Sequence, residues 1–226
     1  MCKFRSRSVG TTIKGVEHSS SILRLDLQCL DARVKINLTQ ILRFMGNCCN
    51  LKNYIIEKIE MKYTADICDS NEKLIDAGDI RILSPVFRPF AKKQHMLGQI
   101  LTVKAFEDNS LVRSSLEQHG EGRVLVVDGG ASNRCALFGG ALGKLAEKND
   151  WLGVIIYGCV RDSHEIIQCN IGVWAIGTNP RKSKKMGFGE VGEAIDIRGT
   201  RIYNNEFCIA DDDGILISSV DINKLI

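Results

Sequence analysis

Residues 61–226 alternate between long apolar runs and polar breaks that contain glycine. Continuous apolar runs, such as "VLVV" at 124–127 and "VIIY" at 154–157, are typical of strands that are buried on both faces of a parallel sheet. Between them, "ALFGGALGKLAEKND" predicts a helix that starts near Gly139–Gly140. Two buried strands joined by a helix form a βαβ unit, so we expect these strands to be parallel.

The flanking pattern predicts further elements. "ADICDSNEKLIDAG" predicts a helix that stops near Gly78, "LGQILTVKAFED" a strand from Gly98 to Phe106, and "NSLVRSSLEQHG" a helix with Asn109 at its N-cap. "DSHEIIQCN" predicts a short helix, "IGVWAIG" a strand, and "TRIYNNEFCIADDDGILIS" a β-hairpin. The basic segment "NPRKSKKMGFGE" is predicted to be a solvated loop. We therefore predict one α/β domain over 61–226 with a mixed, partly parallel sheet.

Residues 1–60 differ in character and form a predicted N-terminal extension of unknown role. They carry ten Lys/Arg against five Asp/Glu, and no acidic residue precedes Glu17. Such a composition is shared by organellar transit peptides, but an ordinary solvated extension explains it as simply, and we prefer that interpretation. The vicinal pair Cys48 and Cys49 has no partner ligands nearby in the sequence and predicts no metal site.

The composition excludes several classes of protein. The net charge of +3 is concentrated in the first 60 residues, so the main body lacks the basic excess of a nucleic-acid-binding domain. Nine scattered cysteines without a C-x-x-C pair indicate free thiols and a reducing, cytoplasmic location. The longest apolar run is nine residues, which is too short to cross a membrane as a helix.

Candidate chemistry follows from the rule that ligands of open α/β sheets bind at the carboxyl ends of the strands. This rule selects Asp128-Gly129-Gly130, Arg161-Asp162 and the helix start Gly139-Gly140-Ala141-Leu142. A helix start offers free N–H groups to an anion. Arg161 adds a permanent forked cation, and Asp162 offers a hard oxygen ligand that suits Mg²⁺ or Mn²⁺.

An anion site beside a metal ligand suits a small 2-oxo acid substrate. The metal would polarise the keto group, and cleavage of the adjacent C–C bond would leave an enolate that the metal and Arg161 stabilise. Structural alternatives stay open. Arg161 and Asp162 can form a simple ion pair, Asp162 can cap the following helix, and Gly139-Gly140 can be a turn.

Six segments together resemble the RraA-like family: "MKYTADICD", "GQILTVKAFEDN", "GRVLVVDGGASNRCAL", "YGCVRD", "IGVWAIGTNP" and "ADDDGILIS". This family comprises class II 4-hydroxy-4-methyl-2-oxoglutarate aldolases and the regulator of ribonuclease E activity A, and the chain looks most similar to its plant-type aldolase branch. The resemblance covers nearly all of 61–226. It implies a layered α/β/β sandwich and a homotrimer.

The resemblance also implies an activity and the residues that support it. The expected enzyme is a divalent-metal-dependent lyase that cleaves 4-hydroxy-4-methyl-2-oxoglutarate or decarboxylates oxaloacetate, through a metal-stabilised pyruvate enolate. The substrate carboxylate would lie at Gly139, Gly140, Ala141 and Leu142. By the same resemblance Arg161 contacts the substrate and Asp162 binds the metal.

One position departs from the family's catalytic motif, which is an Asp, twenty intervening residues and then Arg-Asp. Gly140 occupies the position of that first Asp, whose role is in proton transfer, and Asp128 is a speculative substitute. The alternative function is therefore a non-catalytic trimeric regulator that binds a ribonuclease E-type enzyme or an RNA helicase. The regulator branch typically lacks the metal-binding Asp that this chain has at Asp162.

Overall fold

A computed structural model describes residues 63–225 of the chain. The predictions made for residues 1–60, namely an extension, a targeting role and no metal site at Cys48 and Cys49, lie outside the described residues.

Short helices alternate with strands along the described chain. The helices are α1 (Thr64–Ser70), α2 (Glu72–Asp76), α3 (Ser110–Leu116), α4 (Gly140–Lys148) and α5 (Ser163–Ile166), and a 3₁₀ turn covers Ile222–Lys224. The strands are β1 (Ile80–Ile82), β2 (Arg88–Pro89), β3 (Met96–Lys104), β4 (Val124–Asp128), β5 (Ala136–Phe138), β6 (Gly153–Val160), β7 (Gly172–Thr178), β8 (Glu190–Val191), β9 (Ile195–Ile197), β10 (Thr200–Ile202), β11 (Phe207–Ala210) and β12 (Ile215–Ser218).

The main sheet is mixed, and its parallel part lies in the middle. The strand order is β1-β12-β11-β3-β4-β6-β7-β2, with β5 beside β6 and β8 beside β3. Strands β3, β4, β6 and β7 run parallel to one another, whereas β11, β12, β1 and β2 pair antiparallel with their neighbours. The predicted βαβ unit is therefore confirmed as β4-α4-β6, and its two strands are parallel neighbours.

The apolar runs are continuous because the two faces of the sheet are covered by different layers. Leu125 and Val127 of β4 pack with the helices α3 and α4 in one core cluster. Val124 and Val126, which point to the opposite face, pack with residues of the separate β9–β10 ribbon. Successive side chains of a strand point to opposite faces, so every position of β4 finds an apolar layer. This confirms the layered sandwich.

Some local predictions need correction. The first predicted helix is two helices, because the chain breaks at Asn71 between α1 and α2. Strand β3 starts two residues before the predicted Gly98 and ends at Lys104. Asn109 is the N-cap of α3, but its side chain makes no capping bond, and the Ser110 N–H instead donates to Asp108 Oδ1 at 2.8 Å.

The predicted C-terminal hairpin is β11–β12, and its polar turn also fixes the start of α1. Asp211 in this turn is 4% exposed and accepts hydrogen bonds from the Thr64 N–H at 2.6 Å and the Thr64 hydroxyl at 2.7 Å. It also accepts from the N–H groups of Asp213 and Gly214. The carboxylate is fully engaged by these donors, which explains how a charged residue is buried at this turn.

The five described cysteines are free thiols, as predicted, and Cys135, Cys159 and Cys208 are among the buried ones. Burial raises the pKa of the Cys208 thiol far above its ordinary value. Between residues 63 and 225, no helix has the length and apolar character needed to span a membrane.

Candidate functional site

The start of α4 lies at the carboxyl rim of the parallel strands, directly after β5. Gly139 is extended, and the helix begins at Gly140. The N–H groups of Leu142 and Gly143 both donate to the Gly139 carbonyl, at 2.9 and 3.0 Å. The Leu142 N–H, which the sequence assigned to substrate binding, is thus already used within the helix. Because the first N–H groups of a helix lack intrahelical partners, Gly140 and Ala141 present the donors suited to an anion.

Arg161 and Asp162 follow β6 and lie against this helix start, as predicted. The Arg161 N–H donates to the Phe138 carbonyl at 2.9 Å, which joins the end of β6 to the end of β5. A Cβ atom added to Gly139 would lie 2.8 Å from Asp162 Oδ2 and 3.1 Å from Arg161 Cγ. The charged pair can therefore approach the helix start closely because residue 139 has no side chain.

The conformation of Asp162 points its carboxylate to this rim. Its backbone is left-handed, with φ 55° and ψ 43°, and its side chain makes no capping bond to α5. Its carbonyl accepts from the N–H groups of Glu165 and Ile166, so the main chain alone starts α5. Arg161 Nε and Asp162 Oδ2 are 3.4 Å apart, and both side chains are a little under two-fifths exposed. The predicted ion pair is present, but it lies open to solvent, where a ligand can reach both groups.

Glu165 is a site residue that the sequence analysis missed. A Cβ atom added to Gly140 would lie 2.4 Å from Glu165 Cβ and 2.7 Å from Glu165 Oε2. The Glu165 carboxylate thus lies where an aspartate side chain at position 140 would extend. The sequence contained one signal for this: Glu165 follows Asp162 by three residues, which in a helix brings a side chain back towards the helix start.

Lys144, one turn along α4, forms an ion pair with this carboxylate. Its Nζ lies 2.7 Å from Glu165 Oε2. The hydrogen bond from Lys144 holds the pKa of Glu165 below its ordinary value, and the same bond raises the pKa of Lys144. Glu165 is therefore an anion at neutral pH, as a proton acceptor must be.

Asp128, the speculative substitute for the motif aspartate, lies in a turn of its own at the end of β4. Its Oδ1 accepts a hydrogen bond from the Gly130 N–H at 2.9 Å, which is the pattern of a residue that closes its own turn. Asp128-Gly129-Gly130 thus forms a strand-end turn, and Glu165 is the carboxylate that lies beside Gly140.

The residues at this rim suit a hard divalent cation. Within the part of the chain that is described, no three His, Cys, Asp or Glu side chains are grouped as metal ligands. Magnesium, however, commonly takes one or two carboxylates and keeps several waters. Asp162 offers an oxygen on the open rim beside Gly139, and Glu165 lies beside the next residue, Gly140. This donor set fits Mg²⁺ or Mn²⁺ better than it fits a softer metal.

The chain is similar to known proteins of one family. Residues 64–217 match the family model RraA-like, described as Aldolase/RraA. A Burkholderia mallei (strain SAVP1) protein named "Putative 4-hydroxy-4-methyl-2-oxoglutarate aldolase" is 56% identical over 155 residues, covering 69% of this chain and 94% of that protein. A Burkholderia pseudomallei (strain K96243) protein of the same name matches equally well.

Solved structures show the same fold. The RNA-processing inhibitor RraA from Thermus thermophilis is 38% identical, with a TM-score of 0.62, over 66% of this chain and 91% of that one. A Geobacillus kaustophilus HTA426 protein described as S-adenosylmethionine: 2-dimethylmenaquinone methyltransferase is 41% identical, with a TM-score of 0.67, over 72% of this chain and 98% of that one.

Proposed function

The chain belongs to the RraA-like aldolase family, and from this membership we propose that it is a divalent-metal-dependent lyase acting on pyruvyl substrates. It would cleave 4-hydroxy-4-methyl-2-oxoglutarate to pyruvate and decarboxylate oxaloacetate to pyruvate. The main support is the contact of Arg161 and Asp162 with Gly139, which brings a cation and a hard oxygen ligand to an anion-binding helix start. The name of the Burkholderia relatives supports the aldol substrate.

Substrate binding would use the backbone and one cation. The N–H groups of Gly140 and Ala141 would bind the carboxylate of the pyruvyl group, with the positive end of the α4 dipole adding to the attraction. The partly exposed Arg161 side chain would leave Asp162 and donate to the oxygen that gains charge as the enolate forms. A donor aimed at developing charge contributes most in the transition state.

The cation held by Asp162 would act as a Lewis acid on the 2-keto group. Asp162 itself would provide the anchoring carboxylate, and a lysine or arginine at this position could not replace it.

Proton transfer would fall to Glu165. In aldol cleavage the C4 hydroxyl loses its proton as the C3–C4 bond breaks, and the bonding electrons pass into the C2 carbonyl to give the enolate. The enolate then takes a proton at C3 to become pyruvate. Glu165 is ionised and lies over Gly140, so it can accept the first proton and deliver the second, directly or through one water. Decarboxylation of oxaloacetate forms the same enolate without initial loss of a hydroxyl proton.

A pyruvate-release assay on variants of the full chain tests the proposal. With 4-hydroxy-4-methyl-2-oxoglutarate and Mg²⁺, we expect Asp162→Ala to abolish metal-dependent release and Arg161→Ala to lower kcat/KM by about 10²–10³-fold. Lys148 is an exposed cation at the far end of α4. The variant Lys148→Ala is therefore the matched control and should keep the wild-type rate. A wild-type rate in either site variant would remove that residue from the mechanism.

The second candidate function is the non-catalytic regulator, acting on a ribonuclease or helicase. The similarity to the RNA-processing inhibitor RraA and the glycine at position 140 favour it. The two functions separate cleanly, because a regulator would release no pyruvate but would slow a purified ribonuclease E-type enzyme in a stoichiometric manner. The likeness of this chain to aldolase relatives at 56% identity and the carboxylate of Glu165 at the helix start favour the lyase.

A further inference from the structure

A pocket lined mainly by basic residues lies on the same rim of the sheet as the proposed lyase site. It lies at the start of β5, whereas α4 follows the end of that strand. It has a volume of about 360 Å³. Its lining is formed by Glu107, Arg134, Cys135, Arg181, Lys182 and Lys184. The volume falls within the range of about 300–1,000 Å³ that is usual for small-molecule sites. The lyase proposal uses none of these residues.

The basic segment at this pocket is mostly exposed, as predicted for a solvated loop, but main-chain hydrogen bonds hold it in place. The Ala136 N–H donates to the Arg181 carbonyl at 2.8 Å, and the Lys184 N–H donates to the Glu107 carbonyl at 3.0 Å. Lys182 forms a bridge with Ala136, and Lys184 forms one with Asp108. The segment 181–184 is thus an extended chain pinned between β5 and the end of β3.

This extended conformation sorts the side chains by face. Ser183 is 7% exposed, whereas Lys182 and Lys184 on either side of it are exposed. In an extended chain, residues two apart point the same way. The two lysines therefore project together from one face, beside the pocket that both of them line.

Arg134 is oriented from the opposite side of the pocket. Its Nε lies 2.6 Å from Glu107 Oε1, which also accepts the Ser132 hydroxyl at 2.5 Å. Hydrogen bonds from Ser132 and Arg134 hold the pKa of Glu107 below its ordinary value, so this carboxylate is ionised and already paired. The guanidinium also lies 5.8 Å from the Phe106 ring centroid. Glu107 is the one carboxylate of the lining, and because it pairs with Arg134, three further cations of the lining have no carboxylate among the lining residues.

We propose that this pocket binds a small polyanion, either a phosphate ester or a polycarboxylate. Four cationic groups from two loops line it, and a multiply charged anion in the pocket would be attracted by all four. Two arginine forks and two ammonium groups together offer the geometry that phosphate and carboxylate oxygens accept. The three residues of β5 separate the pocket from Gly139 by about 10 Å of extended chain, so it is distinct from the lyase site.

Isothermal titration calorimetry on the full chain tests the site, with pyrophosphate and citrate as probes at constant ionic strength. We expect saturable binding of at least one probe at one site per chain. The probe that binds with the higher affinity shows whether the pocket prefers phosphate or carboxylate groups. Lys182→Met and Lys184→Met should each weaken binding about tenfold, because a hydrogen bond to a charged group is lost. Lys185→Met removes an exposed lysine of the same segment that does not line the pocket, and it should change binding less than twofold.

Three results would overturn the proposal: no saturable binding of either probe, equal weakening by Lys185→Met and the two pocket variants, or displacement of the bound probe by pyruvate. The last result would place the anion at the lyase site instead. Arg161→Ala provides a further separation, since it should lower kcat/KM for pyruvate formation by about 10²–10³-fold and leave polyanion binding intact. A failure of the lyase proposal therefore leaves this one standing, and the reverse also holds.

Discussion

Replacing Gly140 is the sharpest test of the role given to Glu165. A Cβ atom at position 140 would lie 2.4 Å from Glu165 Cβ, whereas ordinary van der Waals contact begins at 3.4 Å. Glu165 must therefore move by about 1 Å in Gly140→Ala. Displacement of a catalytic group by about 1 Å can cost about 100-fold in rate, and we expect kcat for aldol cleavage to fall by that order.

A second variant distinguishes the loss of proton transfer by Glu165 from a structural disturbance of the site. Glu165→Gln keeps the size of the side chain and removes its basicity, so aldol cleavage should fall by about 10²–10⁴-fold. Oxaloacetate decarboxylation begins without removal of a hydroxyl proton and should fall far less. Exchange of the pyruvate methyl protons in D₂O, followed by ¹H NMR, should fall together with aldol cleavage. Equal loss of all three activities would indicate that Glu165 acts through structure alone.

A matched rescue experiment moves the carboxylate from position 165 to position 140. Glu165→Gly removes the clashing Cβ, which Glu165→Ala would leave in place, and Gly140→Asp then restores a carboxylate at the helix start. We expect the double variant to exceed Glu165→Gly by about tenfold or more in aldol cleavage. The reasoning is refuted by a Gly140→Ala protein with wild-type kcat, or by a double variant no faster than Glu165→Gly.

Two further predictions concern charge and stability. Lys144→Met removes the donor that keeps the pKa of Glu165 low, so the acidic limb of the pH–rate profile should move to higher pH, with little change on the alkaline side; an unmoved acidic limb would mean that another group sets it. Asp211→Ala leaves the buried N–H and hydroxyl of Thr64 without their acceptor, and urea unfolding should show a loss of about 2–3 kcal/mol, whereas the exposed neighbour Asp212→Ala should stay within about 0.5 kcal/mol.

The layered part of the fold could be predicted because its signal is local. Runs such as those of β4 and β6 are apolar at every position, which only a strand covered on both faces requires, and the helix between them starts at a glycine pair. The break of the first helix at Asn71 and the two-residue shift of β3 could not be predicted. At Asn71 the side-chain amide donates to the Ile67 carbonyl at 2.9 Å and competes with helical bonding, whereas β3 starts early because Met96 pairs with Ala210 of the distant β11.

The candidate site, like the fold, could be predicted from the sequence only in part. Arg161 and Asp162 could be assigned to the rim because they directly follow a buried parallel strand. Glu165 could not, because its place over Gly140 depends on the left-handed turn at Asp162, and aspartate is only one of several residues that adopt such a turn. The exposure of segment 181–184 could be predicted, but its main-chain bonds could not, because their partners Ala136 and Glu107 are far away in sequence.

The most direct test of the central claim is a coupled pyruvate assay on the purified wild-type chain. It would measure pyruvate formation from oxaloacetate in three separate conditions: with Mg²⁺, with Mn²⁺, or with a chelator. The metal-catalysed background would be subtracted in each case. We expect protein-dependent pyruvate release with at least one metal, lost both on chelation and in Asp162→Ala. No rate above background with either metal, or a rate that the chelator leaves unchanged, would contradict a metal-dependent lyase at Arg161 and Asp162.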